Sequence, residues 1–104
     1  MLVMPITKTI NNDAAEMRLI GKLVFLNNAD FRKNLNEILE QKVKSLSIRL
    51  DDLVFMDSAG LGMLMIAYKE CDQRGIELTI SRPIGDVKAL LQMTKSYERF
   101  NIVE

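Results

Sequence analysis

The sequence predicts an α/β domain with a sheet of four or five strands, mixed in direction, and about four helices. Three observations carry the prediction. Short alternating or β-branched apolar runs take turns with longer runs of helical spacing along the chain. Between Leu46 and Ser81 a strand, a helix and a strand follow one another within about 35 residues, the length of a βαβ unit. No linker, repeat or low-complexity segment divides the 104 residues, so one domain over 1–104 is expected.

The first run, Leu2 to Ile10, is apolar and partly β-branched, and Asn11-Asn12-Asp13 is a turn cluster before Met17-Arg18-Leu19-Ile20. This reads as two strands joined in a hairpin. Asn27 and Asn28 stand where caps belong on a helix whose apolar positions Phe31, Leu35, Ile38 and Leu39 recur at helical spacing, with Arg32, Lys33, Glu37 and Glu40 on the other face. Leu46, Ile48 and Leu50 alternate with Ser47 and Arg49, as in a strand with one covered face. Asp51-Asp52 then reads as an interruption before Leu53-Val54-Phe55-Met56. Helical spacing resumes from Ala59 to about Arg74, Gly75 is a natural stop, and Glu77 to Ser81 is another strand. The two strands flanking this helix are expected to run parallel, with a right-handed crossover. Pro83 suits a first helical turn, because its missing donor would be orphaned there anyway, and Ile84, Val87, Leu90 and Leu91 continue the helical spacing. The tail from Tyr97 to Glu104 fits either a helical turn or an edge strand.

Bulk composition narrows the function. Fourteen basic residues balance fourteen acidic ones, so no global positive field gathers nucleic acid or anionic lipid. Histidine is absent, which removes histidine-based nucleophilic catalysis and the usual zinc ligands. The expectation is a chain with no metal, no cofactor and no enzymatic activity. Cys71 is the lone cysteine and cannot form an internal disulfide; with no cleavable leader evident, a reducing cytoplasm is expected. The longest nearly apolar stretch, Ala59 to Tyr68, is about half of the ~20 residues a membrane helix needs.

Residues 55 to 66 carry the functional signal: Phe-Met-Asp-Ser-Ala-Gly-Leu-Gly-Met-Leu-Met-Ile. Asp57-Ser58-Ala59-Gly60 lies where a strand hands over to a helix, so Asp57 or Ser58 can cap the unpaired amides of the first turn. Capping does not explain Gly60 and Gly62, each costing ~1 kcal/mol against alanine in a helix. Either the helix start packs tightly on the sheet or a partner approaches the bare backbone. With Leu61, Leu64, Met65, Tyr68 and Cys71 turned to the sheet, the helix keeps a second side bearing Ala59, Met63 and Ile66, covered by a neighbouring helix or open as a docking patch beside Ser58. A phosphate on a hydroxyl at this helix start adds about 1.5 to 2 negative charges, which first-turn amides and the helix dipole accommodate without unfolding the domain.

The run Phe55-Met56-Asp57-Ser58-Ala59-Gly60-Leu61-Gly62, preceded by the strand ending at Leu50 and the Asp52-Leu53 step, closely resembles the signature of STAS domains, specifically stand-alone anti-sigma factor antagonists. The resemblance spans nearly the whole chain and implies the STAS-like fold. It further implies a phosphorylatable Ser58, a cognate serine kinase of the anti-sigma type, and a PP2C-type phosphatase that removes the phosphate. The unphosphorylated domain would bind the anti-sigma protein, and phosphorylation would release it. The expected contact residues are Asp57, Ser58, Ala59, Gly60, Gly62, Met63 and Ile66, on a domain that is a monomer when free. Three places depart from the family pattern. Lys22-Leu23-Val24 stands where an acidic residue, Leu or Ile, and Asp are common; Ala59 stands in place of a second serine; Thr94-Lys95-Ser96 replaces Thr-Gly-Leu.

Rival motifs are weaker. The strand-to-helix serine half resembles a hydrolase nucleophile elbow, yet Met56 occupies the required glycine position and no histidine base exists. Gly60-Leu61-Gly62 lacks the third glycine of a dinucleotide fingerprint, since Met65 sits there. Asp51 and Asp52 are neighbours on a strand end, where side chains point in opposite directions. Cys71 reads as ordinary core. A second function class is an accessory STAS subunit of a transporter or larger signalling assembly, in which Ser58 caps and contacts without a phosphorylation cycle.

Overall fold

A computed structural model describes residues 5–104. Five strands form one mixed sheet in the order β1-β2-β3-β4-β5. The strands are β1 (Ile6–Asn11), β2 (Ala14–Leu23), β3 (Ser45–Met56), β4 (Glu77–Ser81) and β5 (Ile102–Val103). Three α-helices, α1 (Asn28–Leu39), α2 (Ser58–Gln73) and α3 (Gly85–Met93), accompany them, with 3-10 turns at Phe25–Asn27 and Ser96–Glu98. The expected fourth helix is therefore only a 3-10 turn, and the tail is both a turn and an edge strand. Leu2 to Met4 of the expected first strand lie outside the described residues.

β1 and β2 pair antiparallel through a turn in which Asn12 takes a φ of 61°, a conformation asparagine tolerates better than most side chains. All other pairings are parallel, as a βαβ chain requires. Across the sheet Ala15, Leu46 and Leu78 stand in one row and Met17, Ile48 and Ile80 in the next. All six are buried. Ser47, Arg49, Thr79 and Ser81 alternate with them and stay partly exposed, so the sheet has one covered and one polar face. The polar face is cross-linked: Arg49 donates to Asp51 at 2.7 Å and lies 3.5 Å from Glu16, Arg18 pairs with Asp52, and the Ser47 and Ser81 hydroxyls meet at 3.1 Å.

Asp51-Asp52 does not break the strand. β3 runs on to Met56 by taking one extra residue between the pairs Arg18–Arg49 and Ile20–Asp52, and another between Gly21–Leu53 and Lys22–Phe55. Each bulge shifts the inward position by one residue. The buried series is consequently Leu46, Ile48, Leu50, Leu53 and Met56, changing from a spacing of two to one of three. The pair of acids interrupts the apolar pattern without interrupting the backbone, because Arg49 and Arg18 neutralise them at the surface.

Two cap expectations are corrected. Asn27 is the residue before α1, yet its side chain accepts the Val24 amide at 2.9 Å and so braces the preceding 3-10 turn instead of capping the helix; Asn28 is already helical. Pro83 lies ahead of α3, whose flanking residue is Ile84 in an extended conformation. Phe31, Leu35, Ile38 and Leu39 of α1 are buried as expected.

Candidate functional site

α2 begins immediately after β3, and Asp57 is the residue that ends one and opens the other. Its Oδ1 accepts the Gly60 amide at 2.8 Å, an N-cap in the usual sense. Its Oδ2 accepts the Phe25 amide at 3.4 Å, and its own amide donates to the Leu23 carbonyl at 3.3 Å. Asp57 thus ties the entrance of α2 to the segment that leaves β2.

Ser58 is the first residue of α2 and is exposed. With the cap supplied by Asp57, the Ser58 hydroxyl makes no hydrogen bond to another described residue. It faces solvent at the positive end of a 16-residue helix. Of the two capping residues that the sequence allows, the structure uses Asp57 and leaves the other hydroxyl free.

The two glycines answer to different causes. A Cβ on Gly60 would come within 2.2 Å of the Leu23 carbonyl oxygen and 2.7 Å of Met56 Cγ, so the helix start lies directly on the backbone of β2. A Cβ on Gly62 would meet nothing within 4 Å. Packing accounts for the first glycine and not for the second.

The close seat at Gly60 also turns the helix. The buried residues of α2 are Gly60, Met63, Leu64, Ala67 and Cys71, so small residues at Gly60 and Ala67 face inward and let the helix approach closely. The expected inward stripe is therefore corrected: Leu64 and Cys71 are buried, Leu61 is half-buried, and Met65 and Tyr68 are exposed at 41% and 42%. Met63, expected as a contact residue, is a core residue only 3% exposed, with α1 packed alongside α2. Gly60 is buried as well. Ser58, Ala59, Gly62 and Ile66 remain accessible in whole or part, with Asp57 half-buried beneath them.

Other accessible apolar residues gather here: Phe25 and Leu26, which the sequence reading did not single out, and Phe55, which it placed in the motif but not among the contact residues. Phe25 and Leu26 are each 72% exposed on the 3-10 turn held by Asp57, and Phe55, 44% exposed, pairs in register with Lys22. A signal was present in Leu23-Val24-Phe25-Leu26, four apolar residues at a strand end where one sheet face can bury only alternate ones. Leu23 alone is fully buried.

Further along α2, Met65, Ile66, Tyr68 and Phe100 line a groove of about 640 Å³, with the Tyr68 and Phe100 rings edge to face at 5.9 Å. Cys71 is buried, and burial pushes its thiol up to about 11, which keeps it protonated. Among the described residues no group of three or more His, Cys, Asp or Glu is placed to hold a metal ion, and no helix is long and apolar enough to cross a membrane.

Comparison with known proteins gives a consistent picture. A family model described as the STAS domain matches residues 5–104. Over 79 residues the chain is 30% identical to an anti-sigma F factor antagonist from Paenibacillus polymyxa, an overlap of 75% of this chain and 68% of that protein. An anti-sigma factor antagonist from Mycobacterium paratuberculosis shares the fold with a TM-score of 0.84 at 13% identity, over 96% of this chain and 85% of that one. The Bacillus cell fate determinant SpoIIAA in its phosphorylated form shares it with a TM-score of 0.71 at 17% identity, over 97% of this chain and 91% of that one.

Proposed function

Because the chain belongs to the STAS domain family, with an anti-sigma factor antagonist among its relatives, we propose that it is a protein-binding switch worked by phosphorylation of Ser58. In this reading the unphosphorylated domain binds a cytoplasmic anti-sigma factor with serine kinase activity, that kinase phosphorylates Ser58, and the complex comes apart. A PP2C-type phosphatase restores the binding form. The domain catalyses nothing itself; it changes whom it touches.

One observation carries the proposal: the Ser58 hydroxyl is exposed at a helix entrance whose cap is already filled by Asp57. A hydroxyl engaged as the cap would have to rearrange that bond on modification. Ser58 has no such bond to lose, so phosphorylation changes the surface and spares the fold. The contact surface is formed by Asp57, Ser58, Ala59, Gly62 and Ile66, joined by Phe25, Leu26 and Phe55. Gly60 and Met63 support it from beneath. Open space at Gly62 lets a partner approach the helix backbone.

The magnitudes suffice. A doubly charged group placed in a partly apolar interface costs several kcal/mol. Moving occupancy from almost all bound to almost all free needs about 5.5 kcal/mol.

The test is a pull-down with Ser58→Ala and Ser58→Asp, with mass spectrometry of the captured proteins and intact-mass analysis of cell-derived material under phosphatase inhibition. Ser58→Ala is expected to retain a serine kinase and Ser58→Asp to lose it, both remaining folded. Equal capture by the two variants, above all of a transporter ATPase with its permease, overturns the switch. So does cell-derived protein that never carries the phosphoryl mass.

A further inference from the structure

Along the free edge of the sheet we infer a pairing surface, on which β1 of one chain lies antiparallel to β1 of a second copy about a two-fold axis and joins the two sheets into one. β1 stands at one end of the strand order and pairs only with β2, in unbroken register from Ile6–Leu19 to Asn11–Ala14. Just ahead of it the Ile20 amide donates to the Pro5 carbonyl at 3.2 Å, which sets the phase of the ladder. Hydrogen-bonded and non-bonded positions alternate along an antiparallel pair. Thr7, Thr9 and Asn11 therefore turn their backbone groups toward β2, whereas Ile6, Lys8 and Ile10 turn theirs outward, where no strand among the described residues meets them.

The two edges of the sheet are not alike. An open edge is a template for another chain, and folded proteins guard it with short strands, bulges, prolines or lysines. The opposite edge, β5, is only two residues long. β1 has six residues, no bulge and no proline within it, and its one lysine is drawn aside, because the Lys8 ammonium pairs with Glu37 on α1.

Backbone spacing dictates that an extended strand covers such an edge, and β1 is complementary to itself. Its outward residues are symmetric about Lys8. An antiparallel copy centred there sets Ile6 against Ile10 of the second copy, Lys8 against its own counterpart and Ile10 against Ile6, each pair exchanging two hydrogen bonds. Any other centre leaves at least one outward residue without a partner in the strand. The side chains agree with this register. Ile6, Lys8 and Ile10 share a face with buried Leu19, Met17 and Ala15, and a hollow of about 530 Å³ opens between β1 and α1 with Ile10 and Ile38 in its lining. Ile6 of the second copy, standing beside Ile10, extends over that hollow. On the polar face Thr7 meets Thr9 of the second copy, and the reverse, in favourable cross-strand pairs. The two Lys8 side chains oppose each other, a contact that weakens the pairing while each Glu37 offsets it.

No residue of this edge belongs to the entrance of α2, so the pairing does not depend on the switch proposed above. It departs from the monomer expected from the sequence.

Sedimentation equilibrium of the whole chain over a wide concentration range, with amide hydrogen exchange at its two extremes, tests the inference. Wild type is expected to pass from monomer to dimer as concentration rises. The Lys8 and Ile10 amides are expected to gain protection in the dimer, while those of Thr7 and Thr9 are protected at both extremes. Lys8→Pro removes an outward donor in both copies and leaves the β2 ladder intact, so it is expected to stay folded by circular dichroism and to weaken the dimer by at least about tenfold. Lys8→Met keeps the donor and removes the like charges, so it is expected to dimerise at least as well as wild type. A wild type that stays monomeric throughout, leaving the edge to a strand of some other protein, overturns the inference. So does a dimer in which the Lys8 and Ile10 amides gain no protection, or one that Lys8→Met abolishes.

Discussion

At the scale of single residues, Gly60 and Gly62 are two positions apart and held for unlike reasons. Gly60 rests on a backbone carbonyl that cannot rotate away, so Gly60→Ala is expected to cost about 2–3 kcal/mol through overpacking. Gly62 has space around it, so Gly62→Ala should gain helix propensity, up to ~1 kcal/mol, and raise Tm by as much as about 5 °C. Thermal unfolding of the two variants checks both signs. The proposed partner surface adds a second readout: the stabilised Gly62→Ala protein is expected to bind its partner more weakly, because a methyl group would stand where the partner approaches. The sequence raised both explanations for glycine at these positions, and only the third dimension could assign one to each. Asp57 and Ser58 behave in the same way, since both residue types make good caps and spacing alone does not choose between them.

At the scale of elements, most of the architecture was legible because the covered strands and α1 keep strict periods. The failures have two separate causes. Bulges in β3 change its period from two to three, so Asp51-Asp52 looks like an end while the backbone continues. In α2 the bulkiest apolar stripe suggested the inward face, whereas small residues set it, because close approach at Gly60 and Ala67 buries more of the helix than Met65 and Tyr68 would. The rotation separates two neighbours on α2 by role. Met63→Ala opens a cavity in the core and is expected to lose about 2–5 kcal/mol of stability. Ile66→Ala removes a half-exposed side chain and should lose less than about 1 kcal/mol while weakening partner capture. Denaturant unfolding beside pull-downs distinguishes them, and the opposite ranking would restore Met63 to the surface.

At the scale of the molecule, one polar and one covered sheet face put the whole apolar interior on a single side, with Cys71 inside it at no measurable exposure. Its thiol is shielded and held protonated, so alkylation near pH 8 is expected to be slower in the folded protein than in urea by orders of magnitude, at a rate set by global opening. Rapid native labelling would mean that α2 opens locally. The seam at the head of α2 argues otherwise. Gly60 lies on the β2 carbonyl and Asp57 grips both the helix and the outgoing turn, so little slack remains for the chain to rearrange around a new charge. A phosphate arriving there would meet an unyielding mount, and the signal would register as a faster off-rate of the bound partner, in a single kinetic phase with no slow relaxation of the domain behind it.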